Sequence, residues 1–190
     1  MNLLHRRLCR SRWWQTTVER HLLPWVLDGI DLGSAVLEVG PGPGVTTALL
    51  RSRVGHLTCV EIDRELAADL ARRTRGQNVT VRCEDATATS LPDAAFDGAI
   101  SLTMLHHVPS PALQDQLLAE VARLLKPGGV FAGSDSVSSG FFRALHLFDT
   151  MVIVDPLRFP ARLAAAGFVD VEVEAKRRAF RFRARRAAIG

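Results

Sequence analysis

The stretch Val36-Leu37-Glu38-Val39-Gly40-Pro41-Gly42-Pro43-Gly44-Val45-Thr46-Thr47 constrains this chain more than any other. A short apolar run, three glycines at alternate positions and a helix-forming run describe a strand that turns tightly into a helix. Glycines in such a turn let the backbone approach a ligand closely and expose N–H groups at the helix start. The turn alone is a weak signal, but Glu61 supports it. Glu61 lies 21 residues after Gly40, at the end of the next apolar run. A carboxylate there can accept both hydroxyl hydrogens of a ribose. After the third apolar run comes Glu84-Asp85-Ala86, where Asp85 is suited to the exocyclic amine of an adenine. All three features point to a nucleoside ligand at one edge of an open α/β sheet.

The remaining pattern is strands alternating with helices. Ala35–Val39, Leu57–Ile62, Val79–Cys83, Phe96–Leu102 and Val130–Ser134 read as strands. Thr46–Arg53, Arg64–Thr74 and Ala112–Leu125 read as helices, the last stopped by Pro127-Gly128-Gly129. Strands separated by helices of this length form a mostly parallel sheet with helices on both faces. Beyond Ser134, Phe141–Val152 and Leu157–Ala166 are expected to be helical. Val169, Val171 and Val173 then alternate with acids, and Phe180 and Phe182 with Arg181 and Arg183, across the turn Lys176-Arg177-Arg178. Two period-2 runs joined this way make an antiparallel hairpin. The 190 residues suit one domain. Within it, residues 31–135 are expected to form the ligand-binding half, and 136–190 two helical segments and the closing hairpin.

Two details favour a cationic adenosyl ligand over a dinucleotide. Val45 stands where the G-x-G-x-x-G fingerprint wants a third small residue. Glu38 puts a carboxylate beside the turn, which repels a pyrophosphate and attracts an ammonium or sulfonium. The chain also has no tyrosine, hence no Tyr/Lys acid–base pair, and no G-x-x-x-x-G-K-[ST] loop.

VLEVGPGPG (36–44), VEID (60–63), CEDAT (83–87), FDGAISLTMLHHV (96–108) and LLKPGG (124–129) together resemble the class I S-adenosylmethionine-dependent methyltransferases, type 11. The tail from Gly167-Phe168 onward resembles that family too, and the resemblance implies that residues 1–30 form an N-terminal helical lid and that the helices of 136–190 lie on the substrate side. The resemblance implies a Rossmann-like seven-stranded α/β sheet, order 3-2-1-4-5-7-6, with strand 7 antiparallel. It implies that Glu38, Gly40, Pro41, Gly42 and Gly44 surround the methionine part of S-adenosyl-L-methionine, with Glu61 on the ribose and Asp85 on the adenine. Ile62 and Ala86 would flank the ring, and Leu102 would face the methyl group, whose loss leaves S-adenosyl-L-homocysteine. A base is needed only if the acceptor loses a proton, and His106, His107 and Asp135 are the candidates.

The expected acceptor is an O, N or C atom of a small apolar or aromatic metabolite. Phe141, Phe142, Leu145, Leu147, Phe148 and Met151 either line its pocket or pack on the sheet. The alternative is a non-catalytic module that binds the adenosyl cofactor, or docks through basic residues on RNA or anionic lipid. That alternative draws on the charge split. Residues 1–12 and 176–186 hold 11 of the 24 Lys and Arg and no acid, leaving 13 basic against 20 acidic residues between them. Arg6, Arg7, Arg10 and Arg12 are placed to steer an anionic acceptor, whereas Arg181 and Arg183 are expected to face water. Nucleic acid is disfavoured because Ser101-Leu102-Thr103-Met104 has no aromatic or Asn to hold a flipped base. Cys9, Cys59 and Cys83 form no C-x-x-C pair, so no metal is expected, and Cys59 and Cys83 are expected to be buried thiols. No apolar run reaches about 18 residues and the start lacks a signal-peptide core, which together predict a cytoplasmic protein.

Overall fold

The computed structural model describes residues 11–137 and 151–188. Among these, seven strands form one sheet: β1 Ala35–Val39, β2 His56–Val60, β3 Val79–Arg82, β4 Phe96–Leu102, β5 Leu125–Ser136, β6 Phe168–Ala175 and β7 Ala179–Arg186. Their order is β3-β2-β1-β4-β5-β7-β6. The first five are mutually parallel, and β7 runs antiparallel to both β5 and β6. Order and direction are those the family resemblance implied.

Alternation along the strands divides the core in two. Leu37, Val39, Ala99 and Phe131 face one side, where they pack with α5 (Pro111–Leu124) and α6 (Phe159–Ala165). Val36, Ile100 and Ala132 face the other. There they meet a continuous helical stretch, made of α1 (Arg12–Thr17), a π turn (Val18–Leu22) and α2 (Leu23–Val26). The same side takes Leu50 from α3 (Val45–Leu50) and Leu70 from α4 (Arg64–Arg73). Helix starts follow from local chemistry. The Asp63 carboxylate accepts the Glu65 and Leu66 N–H groups, and the Ser110 hydroxyl accepts Leu113 N–H ahead of Pro111.

Several elements differ from expectation. Strand β5 begins at Leu125, so Pro127-Gly128-Gly129 lies within it; the register slips between Phe96 and Gly98 and absorbs the extra residues as a bulge. Helix α3 stops at Leu50, short of Arg53, and α6 starts at Phe159, after a turn in which the Asp155 carboxylate accepts Leu157 N–H. Cys83 is exposed, because it follows β3, an edge strand only half covered; Cys59, on the inner strand β2, is buried. Arg181 does not simply face water. Strand β7 is interior, between β5 and β6, and the helical stretch covers its second face. Arg181 therefore bonds the Trp25 carbonyl and pairs with Glu174 at 2.7 Å. Arg183 pairs with Glu172 at 2.5 Å, and Arg186 bonds the Leu125 carbonyl. Cys9, Arg6, Arg7, Arg10 and the segment Phe141–Phe148 lie outside the described residues.

The antiparallel end of the sheet is fastened by aromatic rings. Phe182 meets Phe131 edge-on at 4.9 Å and Phe159 at 5.0 Å. Phe182→Ala is expected to lower unfolding free energy by about 3–5 kcal/mol, a large-to-small change in a packed core. Urea denaturation of the two proteins measures it.

Candidate active site

The carboxyl ends of β1, β2, β3 and β4 open on a cavity of about 360 Å³, within the usual size of small-molecule sites. The glycine turn forms one wall. Gly40 takes φ +65°, and a Cβ there would stand 2.2 Å from Met104 Cγ, so glycine lets Met104 close over the turn. Gly42 takes φ +54°, and a Cβ there would meet nothing within 4 Å. The missing side chain leaves backbone open toward the cavity. Gly44 does not line the cavity. A Cβ there would lie 2.5 Å from Leu70 Cδ1, so its duty is the packing of α3 against α4.

Three carboxylates from successive strand ends share this cavity. Glu38 is 3% exposed, on the central strand β1. Its Oε2 accepts the Thr47 hydroxyl at 2.6 Å and the Cys59 thiol at 3.4 Å. Burial pushes its pKa up to about 7; the two donors oppose that rise and Glu61 adds to it. Glu61 spans the turn, with Oε2 accepting Gly42 N–H at 2.9 Å and Oε1 accepting Asp63 N–H at 3.0 Å. Its pKa is raised too, by burial first, against the pull of those backbone donors. Asp85 is exposed, and its Oδ1 accepts the Thr87 N–H and hydroxyl at 2.9 and 2.8 Å. Ile62, Ala86 and Leu102 supply apolar surface beside these acids, and Pro41 joins them in the lining.

The loop carrying Asp85 is held on both sides. Glu84, which also lines the cavity, accepts the Ser90 N–H, and from outside it Glu120 on α5 accepts the Thr89 N–H and hydroxyl at 2.8 and 2.7 Å. Arg123 pairs with both Glu120 and Asp93, and holds the Glu120 carboxyl at about 2. This network was not read from the sequence; the i,i+3 pair Glu120/Arg123 was its only trace.

Of the three candidate bases, only His107 lines the cavity. His106 is 2% exposed, and its Nδ1 lies 2.5 Å from Oδ1 of Asp135, itself fully buried on β5. Asp135 Oδ2 accepts the His106 N–H at 3.0 Å, and Oδ1 also accepts Ser136 N–H. The one-turn 3₁₀ helix Leu105–His107 turns adjacent side chains in different directions, which sends His106 into the core and His107 to the cavity. Their rings stay in contact, at 4.2 Å between centroids. Thr103, just past β4, holds φ +52°, a strained conformation for a β-branched residue, and its N–H donates to the Ser134 carbonyl. Trp14, Val18, Met104, Val108 and Leu113 complete an apolar side. Among the described residues no group of His, Cys, Asp and Glu is arranged to hold a metal ion.

A strand–glycine turn–helix start, a carboxylate on each of the next strand ends and a closing antiparallel strand are the marks of a class I methyltransferase fold. The chain belongs to the methyltransferase domain family, of the S-adenosylmethionine-dependent class, whose sequence profile matches residues 37–133. It is 33% identical over 131 residues to a ubiquinone biosynthesis O-methyltransferase of Aromatoleum aromaticum, covering 62% of this chain and 54% of that protein. It is 35% identical over 108 residues to an uncharacterized methyltransferase of Mycobacterium tuberculosis, covering 54% and 51%. The chain thus spans about half the length of these curated relatives. Among solved structures, a SAM-dependent methyltransferase from Aquifex aeolicus superposes with a TM-score of 0.76 at 20% identity, over 97% of this chain and 98% of that one.

The residues present fit the family's cofactor. Glu38 and Glu61 are buried acids without a cationic partner among the described residues, and Gly42 leaves open backbone between them. Glu38 also generates a pH prediction. Its folded pKa lies above the ordinary 4.5, so between pH 4.5 and 7 the native state binds more protons than the unfolded chain, and stability falls as pH rises. Glu38→Gln removes that share of the slope. The variant is expected to gain about 3 kcal/mol relative to the parent between pH 4.5 and pH 8. Urea titrations at four pH values check it.

Proposed function

We propose that the protein moves the methyl group of S-adenosyl-L-methionine to an O, N or C atom of a small apolar or aromatic acceptor. One observation carries this reading: Glu38, Glu61 and Asp85 face a single cavity from consecutive strand ends, around the open backbone of Gly42. In this reading Glu38 and the turn Gly40-Pro41-Gly42 hold the methionine part. Glu61 accepts the ribose hydroxyls and Asp85 the adenine amine, with Ile62 and Ala86 on the ring faces. The bound cofactor supplies an activated methyl carbon. The chain contributes alignment and a water-poor site, an effect that reaches about 7–11 kcal/mol at best.

Leu102 and His107 border the acceptor side. His107 is the base when the acceptor must lose a proton. Asp135 and His106 are positioning residues: the buried pair ties the Leu105–His107 turn to β5 and backs the His107 ring. Gln114 braces the same turn by donating to the Leu105 carbonyl at 3.0 Å. The apolar lining from Trp14, Val18, Met104 and Val108 supports an apolar acceptor, and the ubiquinone biosynthesis O-methyltransferase relatives support oxygen as the acceptor atom.

The docking-module alternative has less behind it, since Arg181, Arg183 and Arg186 are engaged by acids and carbonyls within the fold. Among the described residues no helix is long and apolar enough to cross a membrane.

Calorimetry tests the reading. S-adenosylmethionine and S-adenosylhomocysteine are expected to bind, and Glu61→Ala to weaken both by about 10- to 100-fold, the loss of hydrogen bonds to a charged acceptor. Asp85→Ala, at a more exposed site, is expected to cost about tenfold or less. Absence of binding by either compound refutes the proposal.

A further inference from the structure

Glu38 is a buried carboxylate with only neutral donors. Thr47 and Cys59 both engage Oε2, from α3 and β2. In the sheet Glu38 stands between Cys59 and Ile100 on the neighbouring strands. The titratable groups facing it are Cys59 and Glu61. Burial and the nearby Glu38 push the Cys59 thiol up, so it remains an S–H donor. Glu61 is a second acid and repels a charge on Glu38. No Lys, Arg or His among the described residues pairs with either acid. A buried carboxylate so placed is either protonated or completed by a cation from outside.

Resting on the cofactor assignment above, we infer that Glu38 exchanges its proton for the ligand's ammonium group. Cofactor and product binding is thereby coupled to proton release, and adenosyl compounds that carry an amino-acid tail are selected over those that do not. The balance is simple: the ligand keeps its positive charge, Glu38 becomes anionic beside it, and one proton passes to the buffer. Thr47 and Cys59 are positioning residues, since they hold Oε2 inward and leave the other oxygen for the cavity. Glu61, by contrast, meets neutral hydroxyls, which give it no comparable reason to lose a proton.

The coupling has a size. With the carboxyl at about 7, roughly half the free protein carries the proton at pH 7. Binding of S-adenosylhomocysteine then releases about half a proton at pH 7 and almost none at pH 8.5. Its affinity rises about tenfold between pH 6 and pH 8.5.

Calorimetry in phosphate and in Tris, whose ionisation enthalpies differ, counts these protons. The ligands are S-adenosylhomocysteine and 5′-methylthioadenosine, which shares the adenosyl thioether but lacks the amino-acid tail. The inference expects buffer-dependent heats for the first and not for the second, and their loss in Glu38→Gln. Thr47→Val removes the shorter donor and should raise the proton count at pH 8.5, a check that stands if the Gln variant is misfolded. Equal proton counts for the two ligands would assign the effect to Glu61 and overturn the inference, as would buffer-independent heats for S-adenosylhomocysteine. If S-adenosylhomocysteine does not bind at all, the cofactor assignment itself fails.

Discussion

Parallel strands that bury both faces leave a protein few places to put polar chemistry. Here α5 and α6 cover one face of the sheet, and the N-terminal helical stretch with α3 and α4 covers the other. Side chains along the inner strands are therefore mostly apolar, and the carboxyl ends are where acids and open backbone meet solvent-sized space. The turn at Gly40–Gly44, Glu61 and Asp85 occupy those ends because their strands are adjacent and in register. The central position of β1 has a further effect: Glu38 lies within the strand, level with Cys59 and two residues short of Glu61, and takes the full cost of burial. Its two neutral donors moderate that cost without removing it.

Charge is organised around the same constraint. Two buried acids that line the cavity, Glu38 and Glu61, have no cationic partner among the described residues. The basic residues of β7 answer acids elsewhere: Arg181 and Arg183 lie across from Glu174 and Glu172 of β6. Exposed pairs of this kind contribute little individually, but they let a strand rich in arginine sit inside the sheet. Within the basic C-terminal run, Arg181 and Arg183 are thus neutralised inside the sheet, and Arg185 and Arg186 donate to backbone carbonyls. Lys176 lies over the Trp25 ring at 4.2 Å.

The strand end after β4 combines strain with support. Thr103 holds a left-handed backbone, Met104 packs across Gly40, and the next turn is tied to β5 through Asp135 and His106. A conformation costing about 1–3 kcal/mol persists only where its surroundings determine it, and such places collect at functional sites. His107 reaches the cavity because its neighbour is anchored in the core.

Much of this was legible in the chain itself. Apolar runs of strand length, glycines at alternate positions and acids at or just past the run ends identify the fold class and point to Glu38, Gly42, Glu61 and Asp85, which line one cavity, because these patterns follow from local sterics and period. The duties of individual residues within the motifs were not legible. Gly44 and Gly42 look alike in sequence, yet one packs against Leu70 and the other opens on the cavity. His106 and His107 are adjacent and chemically identical, and only the turn and the position of Asp135, 29 residues away, separate core from cavity. Cys83 and Arg181 depended on which strand is an edge. Local periodicity carries the elements and the acids that end them. The burial, pairing and protonation of each group arise from contacts between distant segments, which exist only once the sheet is assembled.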